Sequence, residues 1–305
     1  PDVPLIQWLK EGAPAGIDNF PQNVSIFPEA PEDPTFEFPL TWFNEEFVNY
    51  VSMDESPHGA EVLGKLVDSG YVLKFATVDD AVEYLRGKTP VLNKLALITV
   101  WKDGALKHRL ILDCRVSGSN DAAYRSERIL LPKAWDVVNG IMELQKRVVG
   151  DEVVELMALD FADASYMIQL RGDERSFFTA HYKGNCYIWL RITQGSINGP
   201  TAFGRRSALT ARMTQGLYHP GRLQLQIYTD DPRAVLRGRP VDIRRMVTVL
   251  ALFWMAIGWG LSFHKAQLGN MVNWVGLSLT ITKTDVLVSI KEDFMRDFKQ
   301  LVGDL

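Results

Sequence analysis

The sequence predicts an α+β fold built around an antiparallel sheet, and three stretches carry that expectation. "LALITVWKDGALKHRLILDCRV", residues 95–116, reads as strand, Asp-Gly turn, strand. "RLQLQIY", residues 222–228, alternates Leu223, Leu225 and Ile227 against Gln224, Gln226 and Tyr228, so one strand face is buried. Between them, "LPKAWDVVNGIMELQK" places Val137, Ile141 and Leu144 on one side of a helix. Hairpins mixed with amphipathic helices define the class.

A chain of 305 residues with 47% apolar content can bury a sizeable core, as one large domain or two small ones. Two cysteines, Cys114 and Cys186, make no disulfide framework. The expected setting is therefore reducing and intracellular, cytoplasmic or nuclear rather than secreted. "PDVPLIQWLKEGAPAG" is too acidic and too short of apolar residues for a signal peptide. A start at Pro and a stop at "KQLVGDL" suggest a segment of a longer polypeptide.

Six prolines between residues 11 and 40 predict an extended lead-in or linker. Phe43, Phe47, Tyr50 and Val51 have helical spacing, Ser56-Pro57 opens a helix that Gly70 ends, and Thr77 to Asp80 resembles a capping box closed by Gly87. Residues 1–90 thus form an acidic, partly Pro-rich extension with short helices. "VVELMALDF" has the continuous apolar texture of a central strand and ends near Asp160; "CYIWLRI" is a further strand. "QGSINGPTAFGRRSALTARM" is a loop entering a helix at Pro200. Residues 246–263 carry no charge and reach the lower length limit for a membrane span. Gly258 and Gly260 favour a buried helix running into a strand, so no membrane is expected. Strands around "LSFHK", "VNWVGLSLTI" and "DVLVSI" and a terminal helix complete the chain.

The net charge of −4 hides a division. Residues 1–90 hold 16 acidic and 5 basic side chains, whereas residues 171–245 hold 13 basic and 5 acidic. The second stretch suits a surface that meets polyanions, or a solvated basic face.

"IYTDDP" places Asp230 and Asp231 at the tip of a hairpin. By itself this is either a polar turn or a pair of metal-binding carboxylates. Asp160 ends a buried strand, where an unpaired carboxylate is costly, and it has its own alternative as a turn cap. Three such groups brought together would suit Mg²⁺, a hard cation that takes oxygen ligands.

In order and spacing, the motifs from about residue 91 to 290 resemble the reverse transcriptases of retroviruses and retrotransposons. The resemblance rests on "LITVWKDG…HRLILDCRVSGSN", "MALDFADASYMIQL", "ERSFFTAHY…YIWLRITQGSINGPTAF", "IYTDDP", "LSFHKAQ" and "VNWVGLSL". It implies a right-hand polymerase palm at residues 151–290, fingers at 91–150 and the start of a thumb at 291–305. It implies RNA-directed DNA polymerase activity, with dNTPs added to a primer 3′-hydroxyl on an RNA or DNA template. Two Mg²⁺ ions, or Mn²⁺ in their place, would be held by the set Asp160, Phe161, Asp230 and Asp231. Asp160, Asp230, Asp231 and Lys265 would be catalytic, with Lys265 serving the leaving pyrophosphate. Lys102 and Arg109 would grip the triphosphate. Asp163 and Ala164 would offer backbone amides, and Gln194 and Gly195 would shape the nucleotide pocket. Tyr228, Trp274 and Gly276 would hold the primer, and Arg205 and Arg212 the template. Polyprotein partners such as the rest of the thumb, ribonuclease H and integrase are implied as well.

One position departs from the pattern. Where the family places Tyr or Phe to exclude the ribose 2′-hydroxyl, this chain has Ser165, followed by Tyr166. The departure keeps two alternatives in view. One is a decayed reverse-transcriptase-like module that only binds nucleic acid; the other is an RNA-templated RNA polymerase with relaxed sugar selectivity.

Overall fold

The computed structural model describes residues 2–31, 40–42, 44, 47–102 and 105–303. In chain order its elements are α1 (Val3–Glu11), α2 (Val51–Asp54), α3 (Gly59–Asp68), β1 (Val72–Phe75), α4 (Val78–Tyr84), β2 (Lys94–Lys102) and β3 (Ala105–Asp113). Then come α5 (Ala134–Gln145), β4 (Val153–Ala158), β5 (Phe161–Ala162), β6 (Thr179–Tyr182), β7 (Asn185–Trp189) and α6 (Gly199–Gln215). The last are β8 (Leu223–Tyr228), β9 (Asp231–Gly238), α7 (Pro240–Ala256), β10 (Gly260–Leu261), β11 (Gln267–Gly269), β12 (Met271–Trp274), β13 (Leu277–Ile281), β14 (Val286–Ile290) and α8 (Glu292–Gly303). All strand pairs are antiparallel, which agrees with the expected class.

The chain divides into two compact units, Pro1–Ile129 with Ser165–Arg205, and Leu130–Ala164 with Arg206–Leu305. The first unit joins residues from both sides of residue 90, and hydrogen bonds explain why. In the first unit β1 joins the sheet β1-β7-β6 through β7, so residues 72–75 pair with residues 186–189. Ala81 and Leu85 pack with Cys186 and Ile188 in its core. The described first part of the proline-rich stretch is held down rather than free. Ala13 and Ala15 are buried, and the buried Glu174 carboxylate accepts from the backbone N–H groups of Ala15 (2.7 Å), Ile17 (2.9 Å), Asp18 (2.9 Å) and Asn19 (3.2 Å). Pro34, Pro39 and Phe43 lie outside the described residues.

The helix expected around residues 43–51 is also corrected. Residues 47–50 are not helical, and only Val51–Asp54 turns. The backbone before it is tied to a strand instead: Tyr50 N–H donates to the Leu95 carbonyl (3.1 Å), and Leu95 N–H donates to Asn49 Oδ1 (2.9 Å). By contrast, α4 has the expected cap, with Asp80 N–H donating to Thr77 Oγ1 at 3.1 Å.

The second unit carries the sheet β11-β4-β9-β8 and the separate meander β12-β13-β14. Val137, Ile141 and Leu144 of α5 pack with Leu156, Val235, Val272, Trp274 and Leu279 in one core. Each such side chain contributes about 1.5–3 kcal/mol on leaving water. Helix α7 contains much of the apolar run. It buries Ile243, Met246, Leu250 and Trp254 at helical spacing, while Val249, Leu252 and Met255 stay exposed. Gly258, at φ 86°, ends the helix before β10. Among the described residues no helix is long and apolar enough to cross a membrane. Cys114 and Cys186 are both free and buried.

Candidate active site

Strand β4 ends at Ala158, but its backbone keeps pairing with the β8–β9 hairpin. Leu159 N–H donates to the Pro232 carbonyl (3.1 Å), and Phe161 N–H to the Asp230 carbonyl (2.9 Å). Asp160 is thereby fixed beside the hairpin tip. The buried Phe161 ring anchors it from below, stacked on Trp259 at 4.1 Å and edge-on to Trp254 at 5.4 Å. Those two indoles are held in turn by Thr210 and Thr214 of α6, whose hydroxyls accept from Trp259 (3.0 Å) and Trp254 (2.8 Å).

In the hairpin, Tyr228 pairs with Asp231, which leaves Thr229 and Asp230 as a two-residue turn. Thr229 has φ 52° and its hydroxyl donates to Asp230 Oδ1 (2.7 Å); Ser207 Oγ donates to the Thr229 carbonyl (3.1 Å). Lys265 reaches the site through a short relay. Ser262 N–H donates to the Asp160 carbonyl (2.9 Å) and Lys265 N–H to the Ser262 carbonyl (2.9 Å), so the lysine turns back with Nζ 2.7 Å from Asp160 Oδ2.

Asp160, Asp230, Asp231 and Lys265 therefore stand together. Burial pushes the Asp231 carboxyl up to about 6; repulsion from Asp230 and Asp160 and a hydrogen bond with Asp160 add to it, while Lys265 opposes it. Burial and the repulsion of two neighbouring carboxylates together raise this group, and oxygen donors of that kind are the ones a hard divalent cation takes. Among the described residues no group of three His, Cys, Asp or Glu side chains is arranged to hold a metal ion as it stands. The Lys265 ammonium carries the compensating positive charge in this arrangement. Carboxylate oxygens are donors that Mg²⁺ takes, so the chemistry of the set, though not its present arrangement, suits that ion.

The β12–β13 hairpin stands against the same strand. Its turn residues Val275 and Gly276 have φ 48° and 77°, the left-handed pair of a tight two-residue connection. Trp274 is buried, its Nε1–H donates to the Asp231 carbonyl (3.0 Å), and Tyr228 meets its ring edge-on at 6.0 Å. Arg233, two residues along β9 from Asp231, is fully buried, and burial lowers its pKa to about 9, so it stays cationic at neutral pH. Asp163 has φ 50°, and Ala164 is buried at the start of a 3₁₀ turn. Arg212 is exposed on α6.

The remaining predicted residues belong to the first unit. Opposed residues of an antiparallel pair share a face. The register of β2 and β3 therefore puts Lys107 and Arg109 on one face, with Ile98 and Val100. Arg109 and Lys107 are exposed. The turn residues Asp103 and Gly104 and the side chains of Lys102 and Ser165 lie outside the described set. Gln194 is exposed, and Gly195 presses so closely on β3 that an added Cβ would lie 1.8 Å from the Leu112 carbonyl oxygen. Asn120 clamps this loop from both sides, donating to the Gly195 carbonyl (2.9 Å) and accepting from Ile197 N–H (2.9 Å). Asn120 lies in the "HRLILDCRVSGSN" run, but nothing in that sequence signals this clamp, and Arg233 carries no local signal at all. Tyr166 stacks flat on Tyr71 at 4.8 Å.

Arg205 is a correction. It is fully buried, not part of a template track: its guanidinium pairs with both Asp2 carboxylate oxygens, donates to the Gln22 carbonyl (3.1 Å) and lies 4.0 Å from the centre of the Trp8 ring. A buried cation must be paired, and Asp2 pairs it.

No known protein family matches the chain, and no curated protein sequence matches it. Solved structures do. The foamy viral protease-reverse transcriptase in complex with dsDNA aligns with 92% of this chain and 48% of its own, at 17% identity and a TM-score of 0.58. Its dRH form, in complex with ds DNA, aligns with 90% and 41% at 18% identity and the same 0.58. The complex with RNA/DNA hybrid aligns with 97% and 37% at 15% identity and 0.57. This chain thus spans less than half the length of each. At such identities the likeness establishes the fold: the chain has a reverse-transcriptase-like fold.

Proposed function

We propose that this chain is the fingers and palm, with the first part of the thumb, of an RNA-directed DNA polymerase from a retroelement polyprotein. The observation that carries the proposal is the meeting of Asp160, Asp230 and Asp231 at the ends of neighbouring antiparallel strands, with Asp231 pushed up to about 6 by burial and its two neighbours. Carboxylates crowded in this way are costly unless cations answer them. On this reading Asp160, Asp230 and Asp231 would hold two Mg²⁺ ions, or Mn²⁺ in their place, with Phe161 fixing the backbone beneath them. When bound, the metal supplies Lewis-acid stabilisation to the attacking primer oxygen and the leaving phosphate.

The chain's own residues do the rest. Lys265 leaves Asp160 and turns its ammonium to the departing pyrophosphate, where it neutralises charge or gives up a proton. Lys102 and Arg109, both on the β2–β3 hairpin, bind the triphosphate oxygens, Arg109 through its forked donors. Backbone N–H groups of Asp163 and Ala164 donate to the phosphates. The Gln194-Gly195 loop, held by Asn120, keeps a flat wall against the nucleotide. Trp274 and Gly276, with Tyr228, support the primer terminus, and Arg212 meets the template. Catalysis is then mostly positioning and charge stabilisation. The template is RNA or DNA, and further polyprotein regions, among them the remaining thumb, ribonuclease H and integrase, complete the machine.

The test is primer extension on an RNA template with Mg²⁺, run separately with dNTPs and rNTPs, beside Asp230→Asn. Extension with dNTPs that disappears in the variant supports the reading. Equal use of both sugars moves it to an RNA-templated polymerase with an open sugar gate. A folded chain that binds primer–template but extends nothing, even with downstream sequence restored, is a nucleic-acid-binding module instead.

A further inference from the structure

Arg233 has no place in the chemistry above, yet its setting is unusual. The guanidinium is fully buried in the second unit, with no carboxylate paired to it among the described residues. One of its nitrogens, Nη2, donates to Gln226 Oε1 on the neighbouring strand β8. Nε and Nη1 make no hydrogen bond among the described residues. What the guanidinium does have is the face of Trp274, 5.3 Å from the ring centre. Side chains on a strand alternate, so Asp231, Arg233 and Val235 share one face of β9. On that face Val235 belongs to the apolar core and Asp231 to the carboxylate cluster; Arg233 stands between them.

A buried cation without a carboxylate is unfavourable for folding, and an apolar residue of similar length would suit the site better. Its cost is offset in part by attraction to the indole face, which strengthens when both partners are out of water. The contact has a geometric effect. Trp274 is held on three sides: Arg233 against its face, Tyr228 against it edge-on at 6.0 Å, and its Nε1–H on the Asp231 carbonyl at 3.0 Å. Rotation of the indole would break the bond to Asp231, and the cation on its face opposes that rotation.

We infer that Arg233 is a positioning residue, which locks Trp274 and so fixes the β12–β13 hairpin, the proposed primer support, in register with the strand that carries Asp231. This rests on the polymerase reading for its functional meaning, while the mechanical coupling stands apart from it. Neither Gln226 nor Trp274 requires an arginine for packing alone.

The experiment uses Arg233→Met, which keeps length and removes charge, with Arg233→Lys as the conservative variant. Hydrogen exchange of the whole chain is followed together with steady-state primer extension from matched and mismatched 3′ ends. In Arg233→Met the amides of residues 271–281 should exchange at least about tenfold faster while those of α5 are unchanged, since the lost contact is local. The kcat for extension should fall at least about tenfold with the dNTP KM unchanged, and discrimination against mismatched ends should weaken, because a displaced terminus costs rate rather than nucleotide affinity. Arg233→Lys should recover part of both effects. Unchanged exchange at 271–281 in a folded Arg233→Met protein overturns the inference, whatever the activity. Faster exchange in a chain whose wild type extends nothing keeps the coupling and removes the polymerase reading. If Arg233→Met does not fold, the same comparison in Arg233→Lys decides: exchange equal to wild type supports a cation-held indole, and exchange faster throughout the second unit overturns it in favour of a general packing role.

Discussion

Replacing Asp231 by Asn should make the metal-free protein more stable at neutral pH, and the size follows from the carboxylate cluster. Asp231 holds its proton up to about pH 6 in the folded chain; an unfolded aspartate loses it near about 3.9. A folded pKa above the unfolded one means that the folded state binds the proton more tightly. That contribution is fully present below about pH 3.9 and is lost as pH rises through about 6. At about 1.4 kcal/mol per pKa unit the ceiling is about 3 kcal/mol. The side chain is only partly buried, so screening by solvent roughly halves it, to about 1–1.5 kcal/mol. Asn keeps the shape and does not titrate. Urea unfolding in the presence of a chelator, at pH 4.5 and pH 7.5, compares the two proteins. Relative to wild type, Asp231→Asn should gain about 1 kcal/mol between those conditions, most of the window between the two pKa values. A difference that stays flat, or that grows toward acid, would refute the idea that burial, with crowding by Asp230 and Asp160, raises this carboxyl.

Other outcomes follow from the same geometry. Mg²⁺ at about one hundred times its dissociation constant should stabilise wild type at pH 7.5 by about 2.7 kcal/mol, and should stabilise Asp160→Asn much less; equal effects by thermal unfolding would place the ion elsewhere. Gly195→Ala, whose Cβ would lie 1.8 Å from the Leu112 carbonyl oxygen, should cost about 1–3 kcal/mol by urea unfolding; an unchanged midpoint would mean the loop moves freely. Asp2→Asn strands the buried Arg205 and should cost about 3–5 kcal/mol, with much of the loss returned in the double variant Asp2→Leu/Arg205→Met; no recovery would refute the pairing account. Ser165→Tyr should raise the preference for dNTPs over rNTPs in the extension assay, and an unchanged ratio would show that residue 165 does not face the sugar.

The parts of this molecule that were legible in the sequence are those whose partners are close along the chain. The paired strands β2 and β3 and α5 with Val137, Ile141 and Leu144 are local patterns, and each forms as expected; in β8 Leu223 and Ile227 are buried, but Leu225 is only half-buried, like the glutamines beside it. Tyr50 has helical spacing with Phe47 and Val51, but its amide answers to Leu95, a partner no local period reveals. Arg205 and Arg206 read alike as adjacent helical arginines. Only the fold tells that Arg205 meets Asp2 while Arg206 lies 4.3 Å from the Trp259 ring. The juxtaposition of Asp160 with Asp230 and Asp231 came from resemblance to a family, since spacing alone left the turn reading open. Arg233 gave no signal at all: in "DDPRAVL" it looks like a charge leaving a turn, and its burial depends on Trp274, on a different hairpin.

The pairing of Asp2 with Arg205 spans 203 positions, and the amides of residues 15–19 wait on Glu174, up to 159 positions away. A ribosome adds roughly 5–20 residues per second. The first stretch of this chain therefore spends on the order of 10–40 s outside the ribosome before its partners exist. During that time Trp8 and Leu5 have no core to enter, and the segment is open to chaperones and proteases alike. Residues 2–19 are made well before Arg205 and Glu174, and find their place only when those arrive.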